Sequence, residues 1–276
     1  MSGAANGAPA KQPAVLGRPR VHLRSTDSTN DRARELAIAG APHGTLVSAS
    51  EQTAGRGRQG RRWSAPAGSS LLMSLLLRSP PRLLPLQAAV AVCEVAGADA
   101  LIKWPNDVVV ATERPGGAGG VGLGKLAGIL IEARPQEGWA VLGIGLNVAV
   151  RLEDLPEELR PNTRRGDPRA GARARGCTPT TTPSALPAAS MGGEPGDVEG
   201  VLEGLLDALQ RRMAEGEELT LEAWRERDAL RGREIAWSGG SGRAEGIDGD
   251  GRLVVALDGG GHTTVGSGEV HLERIG

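Results

Sequence analysis

The most restrictive feature of this 276-residue sequence is the complete absence of Phe and Tyr. Five Trp are the only aromatic residues, although hydrophobic residues make up 39% of the chain. A core of ordinary packing density must therefore be built from aliphatic side chains. Stacking against a flat ligand is left to Trp or Arg. The length allows one large domain, or one large domain with a small one.

Charge and composition exclude several classes of protein. The net charge is −1, so no long-range field draws the chain toward nucleic acid or an anionic membrane. Two Cys cannot build a disulfide framework, which predicts a reducing compartment, the cytoplasm. The sequence contains no run of about 18 apolar residues to span a membrane, and its first residues lack the apolar segment of a secretory signal. Anion binding must then come from a local cluster.

The apolar patterns predict an α+β fold. Neighbouring strands joined by short glycine-containing loops favour a mixed or antiparallel sheet, with helices on one face. The predicted strands are residues 21–24, 45–51, 70–78, 101–104, 107–111, 125–134 and 139–150. The predicted helices are residues 31–40, 86–98, 198–213 and 219–230.

Composition shifts along the chain predict its domain organisation. Residues 1–18 are small, polar and rich in Pro and Gly, which predicts a disordered tail. Residues 19–230 are predicted to form the main domain, with a mobile loop insertion at 156–197. Residues 231–276 consist of short alternating segments and are predicted to form a small β-barrel.

The segment GRGRQGRR, residues 55–62, interleaves four Arg with three Gly. Arg offers paired donors for carboxylate and phosphate, and Gly lets a ligand approach the backbone closely. The spacing matches neither a Walker loop nor a dinucleotide fingerprint. The segment predicts an anion-binding loop; by composition alone, a solvated basic loop or an RGG-like nucleic-acid contact is an equal alternative.

The scarcity of Lys singles out two more positions. The chain has 29 Arg but only three Lys, and Lys103 and Lys125 are the two in its central part. Lys is a compact charge that phosphates accept well. Lys103 opens the segment KWPND, in which Asn106 and Asp107 are suited to a magnesium ion or a polar ligand. Asp107 is also a candidate general base, and a capped turn is the structural alternative.

Five motifs in order resemble the biotin–protein ligases. They are STN at 28–30, EQTAGRGR at 51–58, KWPND at 103–107, GKLAGIL at 124–130 and GIGLNV at 143–148. The resemblance is close over about residues 20–150 and looser near the C-terminus. It implies a biotin/lipoate ligase-like catalytic domain followed by an SH3-like barrel. About 20 residues precede the catalytic part, so we expect a monofunctional ligase without an N-terminal DNA-binding module.

The resemblance implies a two-step reaction. The carboxylate of biotin attacks the α-phosphate of ATP, with Mg²⁺, to give biotinyl-5′-AMP and pyrophosphate. A lysine of a biotin carboxyl carrier protein domain then attacks the mixed anhydride. Clustered Arg and Lys suit this chemistry because they offset the repulsion between two anions and stabilise charge at phosphorus. Nucleic-acid and membrane partners are not expected, and a homodimer is compatible with the resemblance.

Site residues follow from the motifs by resemblance. The implied biotin-binding residues are Ser28, Thr29, Asn30, Gln52, Arg56, Gly57, Arg58 and Lys125. The implied ATP-binding residues are Arg58, Arg61, Trp63, Lys103, Asn106, Lys125 and Asn147. Lys125, Arg58 and Asp107 are the implied catalytic residues, with Mg²⁺ near Asn106 and Asp107.

The sequence departs from the family pattern at two places. Gln59 stands where the family more often has Arg, so one anion donor is missing, and Arg61 and Arg62 are candidates to compensate. Leu71, Leu72 and Met73 fill positions that usually carry aromatic residues, which predicts a looser biotin pocket.

Three alternative functions are weighed against the ligase. A lipoate ligase or an octanoyl transferase shares the fold, but the transferase needs a catalytic Cys, and neither Cys93 in a helix nor Cys177 in the predicted loop suits that role. A nucleic-acid binder needs a wider basic stripe and exposed aromatic residues. A relative that only binds biotin is disfavoured by the presence of Lys125 and Arg56.

Overall fold

The computed structural model describes residues 15–113, 121–160, 186–266 and 270–272. Within these residues, seven strands form a first sheet in the order β1-β2-β3-β7-β6-β5-β4. The strands are Arg20–Leu23 (β1), Leu46–Ala49 (β2), Ser70–Arg78 (β3), Leu101–Lys103 (β4), Asp107–Glu113 (β5), Val121–Arg134 (β6) and Trp139–Asn147 (β7). Strands β1 and β2 are parallel and the other neighbours are antiparallel, which confirms the predicted mixed sheet.

Helices cover both faces of this sheet, whereas the sequence predicted helices on one face. The helices are Thr29–Ile38 (α1), Leu84–Ala96 (α2), Val198–Ala214 (α3) and Glu217–Arg225 (α4). Helix α1 packs with Leu76 and Val141, and helix α2 shares a core with Leu75 and Leu142, which point to the opposite face. Strand β3 is apolar at successive positions, so both of its faces must be covered. No described helix combines the length and the apolar character needed to cross a membrane.

The C-terminal segment forms a second, five-stranded antiparallel sheet in the order β11-β10-β9-β8-β12. Its strands are Glu234–Trp237 (β8), Gly240–Ile247 (β9), Leu253–Ala256 (β10), His262–Val265 (β11) and His271–Leu272 (β12). The predicted fold class is confirmed, but the described residues show an open sheet and no pairing of β11 with β12 that would close a barrel. Ile235 and Leu253 belong to the same core cluster as helix α2, so this sheet packs directly on the main domain.

Two parts of the predicted disordered segments are ordered. Residues 1–14 lie outside the described residues, but residues 15–18 do not form a tail because Leu16 is buried in the main core. Residues 161–185 of the predicted loop, including Cys177, also lie outside the described residues. Ala188 and Ala189 of the same predicted loop are buried, and the Ala189 N–H donates to the Lys125 carbonyl at 2.8 Å. The domain boundaries 19–230 and 231–276 stay a prediction.

The burial of Leu16 gives a test of where the folded chain begins. Leu16→Ala should lower the free energy of unfolding by about 2–5 kcal/mol, because a Leu that is 6% exposed leaves a cavity when truncated. The matched control is Val15→Ala, since Val15 is 60% exposed and its loss removes little packing. Urea denaturation measures both, and equal midpoints for the two variants would contradict the assignment.

Candidate functional site

Two glycines on β7 form the floor of a cavity on the α1 side of the sheet. Gly143 and Gly145 are two residues apart, so they share this face with Val141. A Cβ atom at Gly143 would lie 2.0 Å from Asn30 Oδ1, and one at Gly145 would lie 2.5 Å from Cε2 of Trp63. Asn30 and Trp63 can therefore rest directly on the sheet only because these positions carry no side chain.

The Arg-rich loop doubles back over this floor. Arg56 and Arg62 form an antiparallel bridge, and the Trp63 N–H donates to the Gly55 carbonyl at 2.9 Å. Gln59 stands at the tip with φ of 55°, a left-handed conformation that reverses the chain. The tertiary structure thus holds the loop as a tight hairpin whose arginines lie beside the cavity.

A network of uncharged polar side chains lies at the start of α1. Ser74 Oγ lies 2.6 Å from Asn30 Oδ1 and 2.9 Å from Thr29 Oγ1, and Thr29 Oγ1 donates to Gln52 Oε1 at 3.0 Å. Ser28 occupies the N-cap position, yet its side chain makes no capping hydrogen bond. Its buried hydroxyl faces the cavity and is not used by the helix.

Cationic side chains lie on the side of the cavity that contains Gly128. Lys125 Nζ lies 2.6 Å from Asp107 Oδ1, and an Arg58 N–H donates to Asn106 Oδ1 at 3.2 Å. Partial burial lowers the pKa of Arg58, opposed by the nearby Asp107 carboxylate. The Lys125 ammonium also lies 5.8 Å from the centroid of the Trp63 ring, within range of a cation–π attraction.

Arg56 is held by two carboxylates that the sequence analysis did not select. Its guanidinium pairs with Asp31 at 2.6 Å and with Glu132 at 3.0 Å. Glu132 also accepts a hydrogen bond from the Asn30 amide at 2.8 Å, so one carboxylate orients two predicted ligand residues. The sequence holds one signal for Glu132. Side chains alternate between the two faces of a strand, so Glu132, four residues after Gly128, lies on the same face of β6. Without knowledge of the pairing between β6 and β7, nothing placed that face beside α1.

The structure brings thirteen of the fourteen predicted site residues to one cavity of about 150 Å³. They are Ser28, Thr29, Asn30, Gln52, Arg56, Gly57, Arg58, Arg61, Trp63, Asn106, Asp107, Lys125 and Asn147. Lys103 is the exception, because its ammonium donates to the Val270 carbonyl at 2.8 Å and does not line the cavity. Asn147 lines it, but its amide is already bonded to Ser70 and to the Ala189 carbonyl.

The described residues of the site do not build a metal centre by themselves. Among the described residues, no group of three or more His, Cys, Asp or Glu side chains is arranged to hold a metal ion. Asn106, a predicted neighbour of Mg²⁺, accepts a hydrogen bond from Arg58, and Asp107, the other, forms an ion pair with Lys125. A metal ion at this place would need most of its ligands from a bound phosphate.

Two family models match separate parts of the chain, and neither alone covers half of it. The biotin/lipoate A/B protein ligase family matches residues 22–148, and the biotin protein ligase C-terminal domain matches residues 232–272. The chain therefore carries a domain of the biotin/lipoate A/B protein ligase family and a C-terminal domain of the biotin protein ligases. This confirms the family expected from the five motifs.

Individual relatives agree with this assignment. The chain is 39% identical over 158 residues to the bifunctional ligase/repressor BirA of Bacillus subtilis, a match of 53% of this chain and 45% of the relative. It is 37% identical over 155 residues to the biotin--[acetyl-CoA-carboxylase] ligase of Mycobacterium tuberculosis, covering 51% and 52%. The match therefore spans about half the length of these curated relatives.

A solved structure agrees over nearly the whole fold. The biotin protein ligase of Aquifex aeolicus, in complex with biotin and ATP, superposes with a TM-score of 0.68 at 24% identity. The match covers 93% of this chain and 99% of that one. The arrangement of both sheets is thus that of a known fold.

The close contact between Gly143 and Asn30 gives a test of the cavity floor. Gly143→Ala should lower the free energy of unfolding by about 1–3 kcal/mol, because the added methyl overlaps the Asn30 amide. The matched variant is the double substitution Asn30→Ala/Gly143→Ala, in which the overlapping group is gone. Urea denaturation should show that the double variant is more stable than the sum of the two single losses predicts, and simple additivity would contradict the contact.

Proposed function

We propose that this chain is an ATP-dependent biotin–protein ligase. The observation that carries the proposal is the meeting, in one cavity, of a network of uncharged polar groups with Arg58 and Lys125. A cavity of this composition suits a small molecule that is neutral and polar at one end and anionic at the other. The matching family domain and the relatives named as biotin ligases support the same reaction.

Residues that face each other across β3, β7 and β6 form rows on the sheet, and these rows would set the direction in which biotin lies. The Ser74–Gly143–Leu130 row lies beside Asn30, and the Gly145–Gly128 row lies beside Trp63 and Lys125. These rows are roughly 7 Å apart, two residues along the strand. The ureido ring of biotin, with two N–H donors and a carbonyl, would bind the polar network, while its carboxylate would reach toward Lys125.

Adenylation of biotin would take place beside the Gly145–Gly128 row. Arg58 and Lys125 would hold the biotin carboxylate and the α-phosphate together, and offset the repulsion between them as the new C–O–P bond forms. Pyrophosphate then leaves with the electron pair of the broken P–O bond. Trp63 would pack on adenine, with Arg61, Asn106 and Asn147 near the phosphates. Mg²⁺ bound with ATP would neutralise phosphate charge, and Asn106 and Asp107 are the residues that would lie near it.

The second step transfers biotin to a protein. The amine of an acceptor lysine attacks the biotinyl carbonyl of biotinyl-5′-AMP, forming an amide and releasing AMP. Asp107 would accept the proton of that amine, since its carboxylate lies at the cavity beside Lys125. The proposed acceptor is the biotin carboxyl carrier domain of acetyl-CoA carboxylase, the target named for the relatives. The low cysteine content supports a cytoplasmic location, and a homodimer is compatible with this reaction.

The closest rival reaction, octanoyl transfer, needs a reactive thiolate. Cys93 is fully buried in helix α2, and burial raises the pKa of its thiol to about 12. A thiol of that pKa is protonated at neutral pH and is not a nucleophile. The described part of the chain therefore offers no thiol at the cavity for this chemistry.

Exchange of labelled pyrophosphate into ATP tests the proposed function directly. The full chain should catalyse this exchange in the presence of biotin, and not in the presence of lipoate or octanoate. Exchange that depends on lipoate would reassign the enzyme to the lipoate branch. Binding of biotin with no exchange would make it a binding protein.

Substitution of the central lysine tests the catalytic cations. Lys125→Met should lower kcat/KM for biotin-dependent exchange by roughly 100- to 1,000-fold, because one fixed positive charge at the reacting carboxylate is lost. The matched control is Arg243→Met, which removes a cation that pairs with Glu234 in the C-terminal sheet. Unchanged exchange in the Lys125 variant would remove this residue from the mechanism.

Retention of the adenylate should depend on the paired N–H donors of the Arg58 guanidinium. In Arg58→Gly, biotinyl-5′-AMP should leave before transfer and label lysines of an added bystander protein, detectable by blotting for biotin. Arg58→Lys should release less of it, because it keeps the charge while losing the planar pair of donors. Bystander labelling equal to that of the unmodified chain would contradict this role.

A further inference from the structure

The turn between β4 and β5 faces two parts of the molecule at once. Lys103 and Asp107 are paired residues of the two strands, so only three residues separate them. Asn106 and Asp107 line the cavity, where Asn106 accepts a hydrogen bond from Arg58 and the Asp107 carboxylate forms an ion pair with Lys125. The first two residues of this segment, Lys103 and Trp104, do not line the cavity.

Lys103 and Trp104 bond to two separate places in the C-terminal sheet. The Lys103 ammonium donates to the Val270 carbonyl at 2.8 Å, immediately before β12. The Trp104 indole N–H donates to the Gly251 carbonyl at 3.1 Å, in the turn between β9 and β10. Lys103 is 9% exposed and Trp104 is 3% exposed. Buried donors of this kind are costly to leave unpaired, so both bonds constrain where the turn can lie.

The surroundings of Lys103 agree with a structural use of its charge. Burial lowers its pKa, while the nearby Asp107 carboxylate acts in the opposite direction. The ammonium therefore lies out of solvent, close to the cavity but with its hydrogen bond directed at a backbone carbonyl. A compact ammonium suits this buried position.

We infer that Lys103 and Trp104 are positioning residues, through which the C-terminal sheet sets the place of Asn106 and Asp107. Asn106 and Asp107 in turn fix Arg58 and Lys125. The inference rests on the proposed function for its kinetic readout only. Small displacements of groups that orient reacting atoms are known to have large effects on rate. Through these two residues, the C-terminal sheet would thus act on adenylation without touching the substrates.

Trp104→Phe is the sharpest test, because it removes the indole N–H and keeps an apolar ring. The matched control is Trp139→Phe: Trp139 is also 3% exposed and donates to Glu137 at 2.8 Å, at the far end of β7 from the cavity. Trp104→Phe should lower kcat for biotin-dependent exchange roughly ten- to a hundredfold, with little change in KM for ATP or biotin. Trp139→Phe should keep kcat, and equal kcat values in the two variants would overturn the inference.

A double-mutant cycle separates positioning from a general loss of structure. In an Asn106→Ala/Asp107→Ala background, Trp104→Phe should add little further loss of kcat, because both residues through which it acts are gone. A full additional loss would overturn the inference. Lys103→Met should likewise lower kcat, and a rise in KM for ATP with kcat unchanged would instead show direct phosphate binding by Lys103.

Hydrogen exchange gives a readout that does not depend on activity. The Ile129 N–H donates to the Asn106 carbonyl at 3.0 Å, so its protection reports the place of the turn. Trp104→Phe should speed exchange of this amide, and Trp139→Phe should not. Unchanged protection in Trp104→Phe would overturn the inference, whereas an unmodified chain that lacks pyrophosphate exchange would overturn the proposed function alone.

Discussion

The pairing of Gly128 on β6 with Gly145 on β7 is the constraint on which the site depends. In this register, two positions without side chains lie next to each other on the face that carries the Arg-rich loop. A slip of one residue between the two strands would place either Ile129 or Ile144 on that face, and its side chain would occupy the space that Trp63 takes. The register therefore decides both that a cavity exists and what its floor is made of.

The charges around the cavity are already paired within the protein. Arg56 is bonded to Asp31 and Glu132, Lys125 to Asp107, and Arg58 to the uncharged Asn106. Partners of this kind reduce the cost of holding cations close together in partly buried positions. They also fix each cation before an anion arrives, so little reorganisation is needed when charge develops at phosphorus.

The site is assembled from segments that are distant in sequence. Helix α1 and β3 supply the uncharged network, the loop at 55–63 supplies guanidinium groups, and β5 and β6 supply the Asp107–Lys125 pair. Ala188, from the end of the predicted loop, forms part of the wall. The C-terminal sheet is bonded to the same turn that carries Asn106, so the two sheets form one connected support.

The sequence by itself determined the elements, the family and the residue types of the site. Three of its five motifs fall at a helix start, a loop and a turn, where local rules for Gly, Pro and Asn apply, and these rules do not depend on distant contacts. The roles of the individual side chains stay predictions. Glu132 and Ser74 were not foreseeable, because their use depends on which strand lies beside which, and that is settled by long-range pairing. Only the tertiary structure decided that Lys103 bonds to the C-terminal sheet and that Leu16 belongs to the core, since packing between remote segments leaves no local pattern.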